Sequence, residues 1–195
     1  MEKSRKPDRR VAKTKTAIKT AFINLLSEKE MINITVKDVA DRADVDRKTV
    51  YNYYDGTFAI LEELENDFIK LLEDAELKLD FKNNKSNPIA IFNKLTDIFN
   101  ENIELYSKLM ILDSNSQLVA KMISTLVKKV KDVIIDYANE ATQYNVDNTA
   151  LFVTAGLIAV YQNWFNSDRS ISLEELSKQA GLLVAYGIEG LKKKD

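Results

Sequence analysis

The sequence contains no cysteine and no histidine, and only 5 glycines and 2 prolines among 195 residues. Without cysteine there are no disulfides, thiolate nucleophiles or Cys-ligated zinc or iron–sulfur centres, a composition that fits a reducing compartment. Without histidine the chain lacks the commonest general base, the commonest transition-metal ligand and the side chain that titrates nearest neutral pH. Scarce Gly and Pro remove the turn chemistry that many short strands need and leave a sequence rich in helix formers. The fold class expected is therefore all-α. No Gly-rich phosphate loop or metal-spaced acidic cluster is visible, so neither catalysis nor a cofactor is expected.

Long apolar runs are also missing. The most apolar stretch, TALFVTAGLIAVYQNWF (149–165), falls short of roughly 18–20 uninterrupted apolar residues and carries Thr149, Thr154, Gln162 and Asn163, so it reads as a buried helix. The start, MEKSRKPDRR, is charged and lacks the apolar centre of a secretory signal; a cytoplasmic protein is expected.

What is present is a 45% hydrophobic content, enough to fill a substantial core, and an uneven charge. Residues 1–60 hold 13 Lys and Arg against 9 Asp and Glu, whereas the remainder holds 15 against 21. A basic first third on an acidic body points to a polyanionic partner at one end, although a solvated charged tail explains the first ten residues equally well.

Helical periodicity organises the chain into about nine segments. Over 9–28, Val11, Ile18, Phe22 and Leu25 share one face, widened by Ala21 and Leu26, with Asp8 as a cap. TVKD (35–38) has the form of a capping box and opens a short helix with Val36, Val39, Ala40 and Ala43 inward. After a turn at Asp44 and Val45, Asp46 can cap a second short helix to about Asn52, with Val50 inward. Over 57–79, Leu61, Leu64, Phe68, Leu71, Ala75 and Leu79 recur every three or four residues, a seam too short for a coiled coil. Glu62, Glu63 and Glu65 read as its wet side.

A polar break at 80–88 ends in Asn87 and Pro88, a cap and first helical residue. Helix five uses Ile91, Phe92, Leu95, Ile98 and Phe99 and continues through Ile103 and Tyr106. A helix of about 25 residues follows 113–116 and ends near Ala141, with Val119, Met122, Ile123, Leu126, Val130, Val133, Ile134 and Tyr137 inward. The segment 147–166 is apolar on more than one face and needs two partners. The last helix, capped by Ser172 with Glu175, carries a stripe through Leu173, Leu176, Ala180 and Leu183. These two helices look like half of a four-helix dimer interface, with Leu157, Tyr161, Ala180, Leu183, Val184, Gly187 and Ile188 in the seam; a monomer core is the alternative.

Residues 36–52 thus read as helix, tight turn, helix, braced by a first helix with a basic start. In a helix-turn-helix the second short helix enters the DNA major groove. TVKDVA (35–40), ADV (43–45) and DRKTVYNYY (46–54) resemble the tetracycline-repressor (TetR) family of transcription regulators, over about residues 9–64. AGLIAVYQNWF followed by SLEEL resembles the last two helices of the family's regulatory domain, in a subgroup similar to dihydroxyacetone-kinase regulators.

The resemblance implies a homodimer that reads a near-palindromic double-stranded operator, most simply as a repressor, with DNA affinity under control of a small-molecule effector. It implies a DNA-binding domain at 1–56 and a ligand-binding and dimerisation domain at 57–195. Thr35 and Lys37 match phosphate-contacting positions, Arg47, Lys48, Thr49 and Asn52 match groove-facing ones, and Tyr51 and Tyr53 match aromatics that touch backbone or base. Arg9 and Arg10, at the entrance of the first helix, complete the expected contact set, and Tyr54 takes an inward packing position. The residue types suit such contacts, since Arg grips a guanine edge bidentately, Asn an adenine, Thr a thymine methyl, and Lys and Tyr phosphate oxygens. Two positions depart from the family pattern, Asp44 where Gly is usual and Thr57 where Lys is usual. A pocket among Phe92, Phe99, Tyr106, Tyr137, Tyr161 and Trp164 is one expectation for these aromatics and plain core packing the other. The alternative function is a TetR-like helical dimer that acts through protein contact without an operator.

Overall fold

A computed structural model describes residues 9–74, 89–111, 117–137 and 143–189. Among them the chain forms nine α-helices and a short 3-10 turn: α1 (Arg9–Leu26), the turn Met31–Asn33, α2 (Val36–Ala43), α3 (Arg47–Tyr51), α4 (Thr57–Asp74), α5 (Ile89–Glu101), α6 (Ile103–Ile111), α7 (Gln117–Tyr137), α8 (Gln143–Phe165) and α9 (Leu173–Glu189). Two compact units emerge, one up to Asp67 and one from Phe68, the division falling within α4. The expected cap at Asp8, the break at 80–88 with its Asn87–Pro88 start, and residues 138–141 lie outside the described residues.

In the first unit α1 packs on α2 and α2 on α3. Ile18, Ala21, Phe22 and Leu25 of α1, Val39 and Ala40 of α2, and Val50 of α3 are buried, whereas Val11, expected inward, is exposed. Thr35 closes the capping box that the sequence announces. Its hydroxyl accepts from the Asp38 N–H at 3.2 Å and donates to the Asp38 carboxylate at 2.6 Å, and that carboxylate accepts from the Thr35 N–H at 2.8 Å. Lys29 adds a pair at 2.7 Å; with Lys29 first and Thr35 second, the Asp38 carboxyl is held well below the usual carboxylate range. Replacing Thr35 by Ala removes the cap's central hydroxyl and should cost about 1 kcal/mol, read as an earlier thermal unfolding transition with native helicity retained below it.

Asp44 ends α2 at φ 54° and ψ 49°, in the left-handed region, and Val45 N–H returns to the Ala40 carbonyl at 3.0 Å. Asp therefore stands in for the family's glycine, because its short polar side chain tolerates this backbone better than most. Asp46 stands at the N-cap of α3 in extended geometry, but its side chain makes no capping hydrogen bond; the backbone carbonyl alone receives the Thr49 N–H at 2.8 Å.

Two expectations about the middle helices need correction. The buried face of α4 runs through Ile60, Leu64, Phe68 and Leu72 with Glu65 and Ile69 beside them, while Leu61 and Leu71 are only half-buried. Adjacent apolar pairs at 60–61 and 71–72 fit two neighbouring faces, and packing chose the one a residue away, which draws Glu65 inward. Helix five stops at Glu101. Asn102 accepts the Leu105 N–H on its side chain and the Tyr106 N–H on its carbonyl, starting α6 as a new helix, an exchange that Asn makes readily.

In the second unit α5 lies against α9, and α8 against α6, α7 and α9. The Phe99 ring is central, with centroids of Phe68, Tyr106, Tyr161 and Phe165 at 4.9–5.9 Å. Each such ring contributes roughly 1.5–3 kcal/mol on burial, so this cluster anchors the helical layers. Tyr161 donates to the Phe92 carbonyl at 3.2 Å and lies 3.0 Å from the Thr96 hydroxyl. Burial pushes its phenol pKa up, with Thr96 and Ser177 opposing. Ser172 caps α9 as expected, accepting the Glu175 N–H at 3.1 Å.

Candidate nucleic-acid interface

The five-residue α3 turns Val50 into the core and leaves Arg47, Lys48, Tyr51 and Asn52 exposed on the other side; Tyr51 is 57% accessible. Thr49 and Tyr53 are half-buried at its flanks. Lys37 stands exposed in the first turn of α2, and Arg9 and Arg10 are exposed at the start of α1. The Thr35 hydroxyl is already committed to Asp38, so the start of α2 offers an outside group chiefly the Lys37 ammonium.

Charge in this unit is sorted by pairing. Lys15 and Lys19 bind Glu63 and Asp67, Lys29 binds Asp38, and Arg42 grips Glu28 through two bonds of 2.8 Å. Lys37, Arg47 and Lys48 carry no ion pair among the described residues. Among the described residues the positive groups without an ion pair thus include those of α3 and the start of α2, the elements that a groove-reading motif presents to phosphate. Acidic groups adjoin them: Asp41, Asp44 and Asp46 line a shallow depression beside α3, together with Thr49.

The second unit carries the sequence that decides kinship. Residues 86–185, half of the chain, match the family model described as "Transcriptional regulator C-terminal region", of the TetR type. The chain belongs to the TetR family of transcriptional regulators. Like other TetR-family chains it is a helix-turn-helix regulator and not an enzyme.

Solved structures agree with this TetR fold over nearly the whole chain. A TetR transcriptional regulator from Streptococcus agalactiae 2603V is 26% identical, with a TM-score of 0.66, covering 91% of this chain and 97% of that one. The dihydroxyacetone kinase operon activator DhaS is 23% identical at the same TM-score, covering 92% and 98%, and is a likeness of fold. A 50-residue stretch is 36% identical to the uncharacterized HTH-type transcriptional regulator YxbF of Bacillus subtilis (strain 168). That match covers 26% of this chain and 13% of the relative, so this chain accounts for about an eighth of the curated relative's length.

The aromatic residues expected around a pocket divide differently. Phe99, Tyr106, Tyr161 and Trp164 are buried against one another or against neighbouring rings, and the Trp164 N–H is satisfied by the Ile171 carbonyl at 2.8 Å. Phe92 lines a hollow, and the Tyr137 side chain lies outside the described residues. The hollow, of about 590 Å³, lies between α5, α8 and α9, walled by Val153, Leu157, Val160, Ala180 and Leu183, with Asn148 and Thr149 as its polar members. Sequence spacing could not have found it, because Phe92 comes from α5 while the other walls come from α8 and α9, 56 to 92 positions further along the chain.

The expected seam residues also separate. Leu157, Tyr161 and Ala180 are buried within the single chain, Val184 is half-buried, and Leu183 is 76% accessible. Side chains at Gly187 and Ile188 lie outside the described residues. Two residues outside the expected seam stand out beside Leu183: Phe152, one of the apolar residues that the sequence spreads over more than one face of 147–166, is 80% accessible on α8, and Tyr186 on α9 is 71% accessible. Among the described residues no helix is long and apolar enough to cross a membrane.

Proposed function

We propose that this TetR-family chain is a cytoplasmic, homodimeric DNA-binding repressor whose paired α3 helices read a near-palindromic operator. The observation that carries this reading is the exposed α3 face, where Arg47 and Lys48, without an ion pair among the described residues, stand beside Tyr51 and Asn52 while Lys15, Lys19, Lys29 and Arg42 are engaged in ion pairs. Residues 1–56 would read DNA, with Arg9, Arg10, Lys37, Thr49 and Tyr53 as flanking contacts and Thr35 acting through its cap. Residues 57–195 would dimerise and receive an effector.

Dimerisation is supported by the large apolar side chains that α8 and α9 expose, since a contiguous apolar face of this kind marks an interaction site. Gly156 adds to it. A glycine in mid-helix costs about 1 kcal/mol, and a Cβ there would meet nothing within 4 Å, so nothing among the described residues demands it; a closely packed partner helix would. The hollow opens in this same face, with Phe152, Gly156 and Leu183 among its walls; its volume falls within the size range of small-molecule sites, and its lining favours an uncharged, largely apolar effector. By linkage, such a ligand controls DNA affinity only if it binds the DNA-competent and incompetent states differently.

The acidic depression beside α3 and the Thr57 departure favour one second reading, a dimer that acts through protein contact. Selection of bound duplexes from a random pool with purified protein separates the two. A symmetric site with half-sites about 34–36 Å apart, bound with affinity that falls steeply as salt rises, is the expected result. Recovery of no preferred sequence, with a flat salt response, would exclude the operator and leave the protein-contact reading. A reporter gene behind the recovered site then distinguishes repression from activation.

A further inference from the structure

Three ion pairs of the first unit form a ladder that ends at the exit of α3. On α1, Lys15 and Lys19 lie one turn apart; on α4, so do Glu63 and Asp67. They interlock as Lys15–Glu63 at 2.5 Å, Lys19–Glu63 at 3.3 Å and Lys19–Asp67 at 2.6 Å. The Lys15 ammonium also stands 5.2 Å above the centre of the Tyr54 ring. Tyr54 is buried, and its N–H returns to the Val50 carbonyl at 3.0 Å, so it is tied directly to the last turn of α3.

Energetics and geometry assign this ladder different weights. Lys15, Lys19 and Glu63 keep between 22% and 31% of their side-chain surface in water, a setting where ion pairs add little to stability unless several charges cooperate. Orientation is another matter. A helix of five residues cannot hold itself, and its direction depends on the contacts at its two ends. Its start is set by the Asp44 turn, its middle by Val50, and its exit by Tyr54. Although burial works against the charge, Lys15 and Lys19 together keep the Glu63 carboxyl below its ordinary pKa, so Glu63 remains an anion at neutral pH.

We propose that Glu63 and Lys15 are positioning residues for operator recognition: Glu63 holds the Lys15 ammonium on the Tyr54 ring, and this contact fixes the angle at which α3 presents Arg47, Lys48 and Asn52 to base edges. The claim rests on the DNA-binding reading above. It assigns function to a glutamate that sequence pattern places on a wet helix face.

The test compares the operator recovered by selection with a random duplex of equal length, for full-length wild type, Glu63→Gln, Lys15→Met and Lys15→Arg. Loss of positioning should lower the ratio of operator to random-duplex affinity about tenfold in Glu63→Gln and Lys15→Met, a drop well inside the usual specific-to-non-specific span. Random-duplex affinity should hold or rise in Glu63→Gln, because an anion is removed and Lys15 is released, Lys19 keeping Asp67. Lys15→Arg can keep both the ion pair and the stack and should preserve the ratio. A purely structural ladder would instead lower both affinities together with the unfolding temperature, and that result overturns the proposal. So does a ratio within about twofold of wild type in both Glu63→Gln and Lys15→Met. If Glu63→Gln does not fold, Lys15→Met, which retains the packed stem, decides alone. A wild type that selects no sequence removes the DNA-binding reading and this proposal together, whereas a selective wild type with unaffected variants removes only this one.

Discussion

Leu183→Arg should yield a folded monomer that no longer holds the proposed palindromic operator. Leu183 is 76% accessible in the single chain, so the substitution removes little internal packing, and the isolated chain should keep its helix content. In the proposed dimer the same position faces apolar surface from the partner. An arginine there is a charge buried without a counter-ion, at a cost of several kcal/mol for each of the two symmetric copies. Operator affinity falls with it. A dimer binds two half-sites through one rigid connection, and losing the second half-site removes an effective concentration that commonly multiplies affinity by roughly 10²–10⁴. Sedimentation or light scattering reports the monomer, and titration of operator DNA reports the affinity. A dimeric variant with wild-type affinity, or a monomeric wild type, would show that the α8–α9 face serves something else. Phe152→Glu should behave in the same way, because Phe152 exposes 80% of its surface on the neighbouring helix.

The second large effect belongs to α3. Arg47→Ala and Lys48→Ala should each weaken operator binding by about 1–3 kcal/mol, roughly tenfold to a hundredfold, without lowering the unfolding temperature appreciably. Neither side chain is buried or ion-paired among the described residues, so folding does not depend on it. The two variants separate base contact from phosphate contact. A residue that grips a base edge relaxes sequence preference at one position when lost, whereas a phosphate contact weakens all duplexes alike and reduces the salt slope by about one. Wild-type affinity in both variants would mean that another surface meets the DNA, or that none does.

Much of the local structure of the candidate interface was legible because it is written locally. A capping box is a four-residue pattern, and Thr35 with Asp38 forms it. The left-handed turn needs a residue that tolerates positive φ, and Asp44 supplies one. Polar residues on both sides of Val50 announce a short helix with one buried position and one open face. Within reach of a few residues, hydrogen-bonding capacity and backbone preference settle the outcome almost alone.

Ambiguity entered wherever two local solutions were equally good. On α4 the pairs Ile60–Leu61 and Leu71–Leu72 supported two adjacent faces, and a difference of one residue placed Glu65 inside. Asn102 is compatible with a continuous helix on apolar period alone; its capping bonds to Leu105 and Tyr106 divided α5 from α6. Of the aromatic set read as pocket or core, Phe99, Tyr106, Tyr161 and Trp164 turned out to be packed ring against ring, with Phe92 at an opening whose remaining walls come from α8 and α9.

The sequence by itself therefore determined the helical class, the helix-turn-helix and its exposed Arg47, Lys48, Tyr51 and Asn52, since each follows from periodicity or from contacts a few residues long. Only the tertiary structure decided which cations stay unpaired, how Glu63 reaches Lys15 across 48 positions to the ring of Tyr54, and which side of α8 is left bare at Phe152. The physical reason is range: hydrogen bonds and helix periods act between neighbours in sequence, whereas charge pairing, ring packing and cavities depend on which distant helices fold to lie side by side.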